Sequence, residues 1–212
     1  FTDQVYKTGV ELYTSLLYWE AARKLAAMAT AAGDQALAGE MTQRAGLIEK
    51  NLPAALWDEA SGMYLAATQD CRQIDIWGSA YAVYIGFPNA QRNERITRYL
   101  IGHYDEIVYA GQVRHLPGGE YWQKTSQPIG RDEYQNGAYW GTASGWVAYA
   151  IAQADPALAS RMLGDLTDYF RARGVFECVN KAGIEKIDNY GATIANPLAA
   201  IRRMRGGQSS SQ

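Results

Sequence analysis

Apolar residues recur at three- and four-residue steps along much of the chain, which is the spacing of one face of an α-helix. The first such run covers residues 5–32, and a second covers residues 35–51, where Pro53 is expected to stop it. Only Gly33 and Asp34 lie between the two runs. The pattern therefore predicts an antiparallel helical hairpin with a very short turn.

Five more helices are predicted after this hairpin, and they are of two kinds. Some are apolar and aromatic with almost no charge, which is typical of helices buried on most sides, whereas others keep a charged face. The two kinds alternate, and a loop or short strand precedes each apolar helix. This alternation predicts an all-α fold of stacked αα-hairpins, with inner helices around an axis, outer helices shielding them, and the loops gathered at one end. The predicted spans are residues 75–84, 90–103, 136–153, 156–173 and 192–204.

Composition narrows the possible partners. The chain has 212 residues with 20 basic against 22 acidic side chains, so it lacks the basic excess of a nucleic-acid-binding protein. No run approaches the ~20 apolar residues of a membrane span, and no membrane partner is expected. Two cysteines cannot form a disulfide framework or a four-cysteine zinc site, and two histidines disfavour a His-rich centre, so no metal or other cofactor is expected.

We expect one domain over residues 1–205 and a disordered Gly/Ser-rich tail over residues 206–212.

Several short motifs occur in a fixed order. Trp57-Asp58-Glu59-x-Ser-Gly-x-Tyr64 closes the first hairpin, and Asp75-Ile76-Trp77-Gly78 opens the next inner helix. Residues 134–142 read Tyr-Gln-Asn-Gly-Ala-Tyr-Trp-Gly-Thr, and Phe176-Glu177-Cys178-Val179-Asn180 is followed by Tyr190-Gly191-Ala192-Thr193. This ordered set resembles the (α/α)6 toroid glycosidases, also called six-hairpin glycosidases, in their processing α-glucosidase, trehalase and glycogen-debranching branches. The Gln-Asn-Gly before Tyr139-Trp140 departs from the Tyr-Trp-Arg-Gly run of those branches.

The resemblance implies a glycoside hydrolase fold that is larger than this chain. A toroid of that family has twelve helices, whereas about seven are predicted here. The chain therefore resembles the C-terminal part of a toroid, which a preceding segment or a second chain would complete. One flank of the first helix is then expected to lack a partner, with Tyr6, Tyr13, Leu17 and Ala21 as its candidates.

Hydrolysis with inversion needs a carboxylic acid and a carboxylate base ~6.5–9.5 Å apart. Glu177 lies in an apolar run between two loops, where burial favours a basic carboxylate, and its position matches the general base of the resembling families. The alternative is a carboxylate that caps a neighbour at a strand edge. In those families the acid comes just before the first long helix, where Asp3 lies. Asp3 is also interpretable as an N-cap or as the residue after a truncated acid motif.

Sugars are held by aromatic faces and by polar groups around a largely preformed pocket. The long loop and the starts of the inner helices carry such residues, although each tryptophan also suits a hydrophobic core. The candidates for substrate binding are Asp75, Trp77, Arg114, His115, Glu120, Trp122, Gln135, Asn136, Tyr139 and Trp140.

Three functions are compatible with this pattern. The first is a glycoside hydrolase, or a piece of one, that cleaves an α-linked carbohydrate with inversion. The second is a sugar epimerase of the same fold, which needs a His pair and is disfavoured because only His103 and His115 are present. The third is a non-catalytic helical module that binds a carbohydrate or a protein on its concave face.

Overall fold

The computed structural model of the chain describes the backbone of residues 2–209 and the side chains of residues 2–206. Helices dominate these residues, and short strands occur only as two-stranded hairpins. The helices are α1 Leu12–Ala31, α2 Gln35–Leu56, α3 Ile76–Ile85, α4 Ala90–Gly102, α5 Tyr104–Ile107, α6 Ser144–Ala152, α7 Pro156–Arg173 and α8 Gly191–Ser209. The strands are β1 Trp57–Asp58, β2 Met63–Tyr64, β3 Val108–Tyr109, β4 Gln112–Val113, β5 Phe176–Val179 and β6 Glu185–Asp188.

The helices stack as αα-hairpins in two layers. Helices α1, α3, α6 and α8 contact one another in that order and form the inner layer. Helix α2 packs on α1, α4 on α3, and α7 on α6, so these three form the outer layer. The predicted all-α arc of a toroid is therefore confirmed, and so is the assignment of inner and outer helices.

Each inner helix after α1 is preceded by one of the β-hairpins. The hairpin β1–β2 leads to α3, β3–β4 leads to α6, and β5–β6 leads to α8. Backbone hydrogen bonds join these connections: Ile76 N–H donates to His115 O at 2.9 Å, and Tyr139 N–H donates to Val179 O at 2.8 Å. The loops before the inner helices thus meet at one end, as predicted. We call this end the rim.

Close packing holds the inner layer together. Nearly all of α3 is buried, and Trp146 on α6 contacts the rings of Tyr13 on α1 and Tyr81 on α3. Gly145 lies where α6 meets α8, and a Cβ there would come within 2.7 Å of Asn196 O and 2.8 Å of the Pro197 Cα. Only glycine permits this approach of the two backbones.

Two helices begin later than predicted, because the backbone of their expected first residues is hydrogen-bonded to distant parts of the chain. The helix expected from residue 136 begins only with a 3-10 turn at Gly141–Ala143, since Tyr139 exchanges hydrogen bonds with Val179, and Trp140 does so with Val113. The helix expected from residue 5 begins at Leu12, because Tyr6 N–H donates to Lys124 O.

Two helix ends also differ from prediction. Helix α2 continues through Pro53 to Leu56, because Leu52, Pro53 and Leu56 are all buried, and the Trp57 N–H still donates to Pro53 O. Helix α8 continues past Met204 to Ser209, into the expected tail, and residues 210–212 lie outside the described residues. None of the described helices is both long and apolar enough to cross a membrane.

The inner layer ends at α1 on one side and at α8 on the other, and both ends expose apolar side chains. Leu17 and Leu25 on α1 are about two-fifths exposed, at 43% and 39%, and Ala21 between them is exposed. On α8, Ile194 and Leu198 are exposed at 47% and 43%. Of the other residues expected on the open flank, Tyr6 is exposed and Tyr13 is half-buried against neighbouring rings.

Candidate active site

Glu177 occupies β5 at the rim and is only 5% exposed. Its Oε2 has no hydrogen-bond partner among the described residues. Burial raises the pKa of its carboxyl, and the charge of Asp3 raises it further, whereas the Tyr134 hydroxyl and the Lys186 charge lower it. A buried acceptor without a partner is uncommon in a native structure. The site therefore holds a carboxylate oxygen that can accept a hydrogen bond from a ligand or a water.

The charge of Asp3 raises the pKa of Glu177, and it also raises the pKa values of Tyr134 and Tyr190. The side chain is exposed, but its position is fixed by Gln135, whose Nε2 donates to Asp3 Oδ1 at 2.6 Å. The other end of the Gln135 amide accepts from the Gln4 N–H at 2.9 Å. The two carboxylates that the sequence singled out are thus near enough for the charge of one to act on the other.

Tyr134 connects the carboxylates to an aromatic cluster formed by Trp77, His115 and Trp140. Burial raises the Tyr134 pKa to about 12, and the neighbouring charge of Glu177 acts in the same direction. Its ring lies 5.1 Å from that of Trp140, which contacts Trp77 and His115 edge to face. His115 stacks on Trp77 with 3.6 Å between ring centroids.

The three members of this cluster are each at most 6% exposed, as is Trp122, whose ring also contacts His115. Trp77 and His115 stack face to face, and the other ring contacts in this group are edge to face. These four residues, which the sequence suggested for sugar binding, are therefore buried at the rim.

Asp75 and Asn136 serve the local fold. Asp75 caps α3 through a 2.8 Å hydrogen bond that it accepts from Gly78 N–H, and burial raises the pKa of its carboxyl. The Asn136 amide accepts from Trp122 N–H at 2.8 Å and donates to Ile129 O at 3.0 Å. Each residue holds a rim loop in place.

Arg114, Tyr139 and Glu120 make no hydrogen bond or ion pair with Glu177 among the described residues. The first two line a cavity, whereas the Glu120 side chain is exposed and only its carbonyl contacts Arg114. His103 pairs with Glu106 at the end of α4, and His115 stacks in the aromatic cluster. The two histidines thus lie in different surroundings, so the geometry gives no support to an epimerase.

Sequence reasoning missed Lys7, Tyr134 and Lys186. The Lys7 side chain is 2% exposed and its Nζ lies 2.9 Å from Glu11 Oε1, close enough to Asp75 for its charge to lower the pKa of that carboxyl. Tyr134 directly precedes the Gln-Asn-Gly motif, which was the available signal.

The described residues contain no group of three or more His, Cys, Asp or Glu side chains placed to hold a metal ion.

Comparisons with known proteins bear on the family and the fold. The family model for the mannosylglycerate hydrolase MGH1-like glycoside hydrolase domain matches residues 9–183. The GH63 mannosylglycerate hydrolase from Thermus thermophilus, in complex with Tris and D-glycerate, superposes with a TM-score of 0.66 at 17% identity, over 92% of this chain and 46% of that one. The same enzyme in complex with glucose superposes with a TM-score of 0.66 at 16% identity, over 92% and 48%.

A sialidase structure superposes with a TM-score of 0.62 at 14% identity, over 82% of this chain and 17% of that one. No curated protein matches the chain by sequence. Because it covers 46% and 48% of the two hydrolase chains, this chain spans less than half of their length. The superpositions confirm the toroid fold that the motifs implied.

Proposed function

The chain belongs to the mannosylglycerate hydrolase MGH1-like glycoside hydrolase family, and on that premise we propose that it carries the catalytic base of an inverting glycoside hydrolase. The observation that supports this role is the buried Glu177, with one carboxylate oxygen free of protein partners among the described residues and a second carboxylate nearby. Because the chain spans under half of its structural relatives, the remaining walls of the sugar site would come from outside it.

In the proposed reaction, Glu177 accepts a proton from a water molecule while the water oxygen attacks the anomeric carbon. The bond from that carbon to the leaving oxygen breaks, and the leaving oxygen takes a proton from a carboxylic acid on the opposite face. Tyr134 and Lys186 support the role of Glu177, since both lower the pKa of a carboxyl that burial raises. These two groups thus favour the ionised form that a base requires.

Asp3 is the acid in this proposal, on its position before α1 and on its electrostatic contact with Glu177. The hydrogen bond from Gln135 fixes the carboxyl at the rim. The relatives of known structure are named for hydrolysis of mannosylglycerate, so a mannoside of a small organic acid is the first substrate to try.

The roles of acid and base separate with glycosyl fluorides, because fluoride leaves without being protonated. Mannosyl and glucosyl fluorides of both anomeric forms would be tested with Glu177→Gln and Asp3→Asn. We expect Glu177→Gln to lower the rate by about 10²-fold or more, the range for losing a general base. Asp3→Asn should leave the rate for the fluoride nearly unchanged and lower the rate for mannosylglycerate by a comparable factor.

Glu94→Gln is the matched control, since Glu94 lies on α4 and pairs with Arg98 at the surface. Hydrolysis of the fluoride that survives Glu177→Gln would contradict the proposed base, as would a protein that binds the sugar without hydrolysing it. If Asp3→Asn leaves mannosylglycerate hydrolysis unchanged, Asp3 is not the acid, and the assignment of Glu177 still stands.

A further inference from the structure

A cavity of about 500 Å³ opens at the rim beside the turn that carries Tyr134 and Gln135. Neither of these residues lines it, and neither Glu177 nor Asp3 does. The lining of the cavity therefore does not include the two carboxylates. Its main lining residues are Arg114, Tyr121, Asp132, Tyr139, Asn180 and Lys181.

Arg114 is the unusual member of this set because it is only 5% exposed. Its guanidinium lies near the rings of Tyr121 and Tyr139, at 5.6 and 5.9 Å from their centroids. Nη2 donates to Glu120 O at 2.9 Å, and Nε has no partner among the described residues. Nη1 lies 3.9 Å from Asp132 Oδ1, which is too far for a hydrogen bond. The buried guanidinium thus makes one hydrogen bond and one long ion pair, and it has N–H groups left for further partners.

The other charges that face the cavity add to this positive excess. Lys181 Nζ lies 5.5 Å from the Tyr139 centroid and makes no ion pair with any described residue. Asp132 is the carboxylate of the lining, and both its oxygens already accept from the Tyr121 hydroxyl at 3.1 Å. Cations therefore outnumber carboxylates around the cavity.

We propose that this cavity binds a small oxyanion, namely a carboxylate, sulfate or phosphate group, through Arg114 and Lys181. A planar guanidinium pairs two N–H groups with two oxygens of such a group, and an ammonium adds a point charge. The guanidinium lies near both tyrosine rings, and Arg114 lines the cavity in which the anion would bind. The proposal does not depend on the assignment of Glu177.

Occupancy of the cavity would also steady the candidate active site. The Asp132 N–H donates to Asn136 O at 3.0 Å, and Asp132 O accepts from Asn180 Nδ2 at 3.0 Å. The same turn carries Gln135, which holds Asp3. An anion bound by both Arg114 and Lys181 would therefore stabilise this turn.

Isothermal titration calorimetry of the purified protein tests this with sodium sulfate, sodium phosphate, glucuronate and glucose, at an ionic strength fixed with sodium chloride. Lys181→Met removes one exposed cation with little risk to folding, and Arg114→Lys keeps the charge but removes the planar fork. We expect each variant to weaken anion binding by about tenfold or more, the loss of one charge-assisted hydrogen bond. Lys50→Met, an exposed position on α2, should bind as the unaltered protein does.

Tighter binding of glucuronate than of sulfate and phosphate would identify the anion as one borne by a sugar, and the reverse order would identify a free anion. Either order supports the site. Absence of anion binding, equal affinity for glucose and glucuronate, or equal behaviour of Lys181→Met and Lys50→Met would overturn it.

Discussion

Replacing Gln135 by leucine tests how the segment before α1 is held at the rim. Gln135 is 1% exposed, and its amide makes two hydrogen bonds to that segment, at 2.6 Å to Asp3 Oδ1 and at 2.9 Å from the Gln4 N–H. Leucine has a similar volume and can make neither. The change therefore removes the bonds while it preserves most of the packing.

The expected cost follows from the two bonds. The bond to the Asp3 carboxylate is charge-assisted and contributes about 1.5–3 kcal/mol, and the neutral bond from Gln4 contributes about 1 kcal/mol. Their sum of roughly 2.5–4 kcal/mol corresponds to an opening of the segment that is about 60- to 700-fold more frequent. Tyr6 N–H, which donates to Lys124 O, belongs to the same segment and should lose protection with it.

Amide hydrogen exchange at Gln4 and Tyr6 measures this opening directly, because exchange of these amides requires the segment to detach. Gln127→Leu is the control, since Gln127 is exposed in the same loop. Exchange at both amides should be faster in Gln135→Leu only, while amides in α3 keep their protection. Unchanged exchange at Gln4 and Tyr6 would refute the claim that Gln135 holds the segment.

Three further outcomes are expected. Burial raises the Glu177 pKa above its value of 4.5 in the unfolded chain, so this carboxyl favours folding below that pH and loses the contribution as pH rises through the folded pKa. Glu177→Gln should therefore be more stable than wild type near pH 7. Urea unfolding that shows a lower stability of this variant would contradict the sign. Gly145→Val should lower the free energy of unfolding by about 1–3 kcal/mol through overpacking, whereas Gly164→Ala, with open space around it, should not. The apolar ends of the inner layer should make the isolated chain self-associate, and Leu17→Glu with Leu198→Glu should reduce the sedimentation coefficient toward that of a monomer; a wild-type chain that is already monomeric would oppose this.

Local chemistry explains which parts of the fold the sequence could predict. Asp75, Asn89 and Asp155 each accept a hydrogen bond from the N–H three residues on, so the starts of α3, α4 and α7 follow from short-range patterns. The start of α6 could not be read in this way, because Trp140 pairs with Val113, which is distant in the chain. Helical spacing does not register such a pairing.

The same distinction applies to the candidate site. Glu177 is predicted as a site residue from an ordered set of motifs, and its burial, which the structure shows, was readable from the apolar residues around it. The partnership of Gln135 with Asp3 joins residues more than a hundred positions apart. The environment of Arg114 likewise depends on Lys181 and Tyr139, which lie on different rim loops. Packing of the hairpins creates these contacts, and no local pattern encodes them.

The anomeric configuration of the first product tests the proposed base most directly. Proton NMR during hydrolysis of a glycosyl fluoride distinguishes the two anomers of the free sugar before they interconvert. With Glu177 as a base that activates water, the first sugar released has the configuration opposite to that of the fluoride, and Glu177→Gln releases almost none. A first product that retains the configuration of the fluoride would contradict the account, because Glu177 would then act as a nucleophile or take no part.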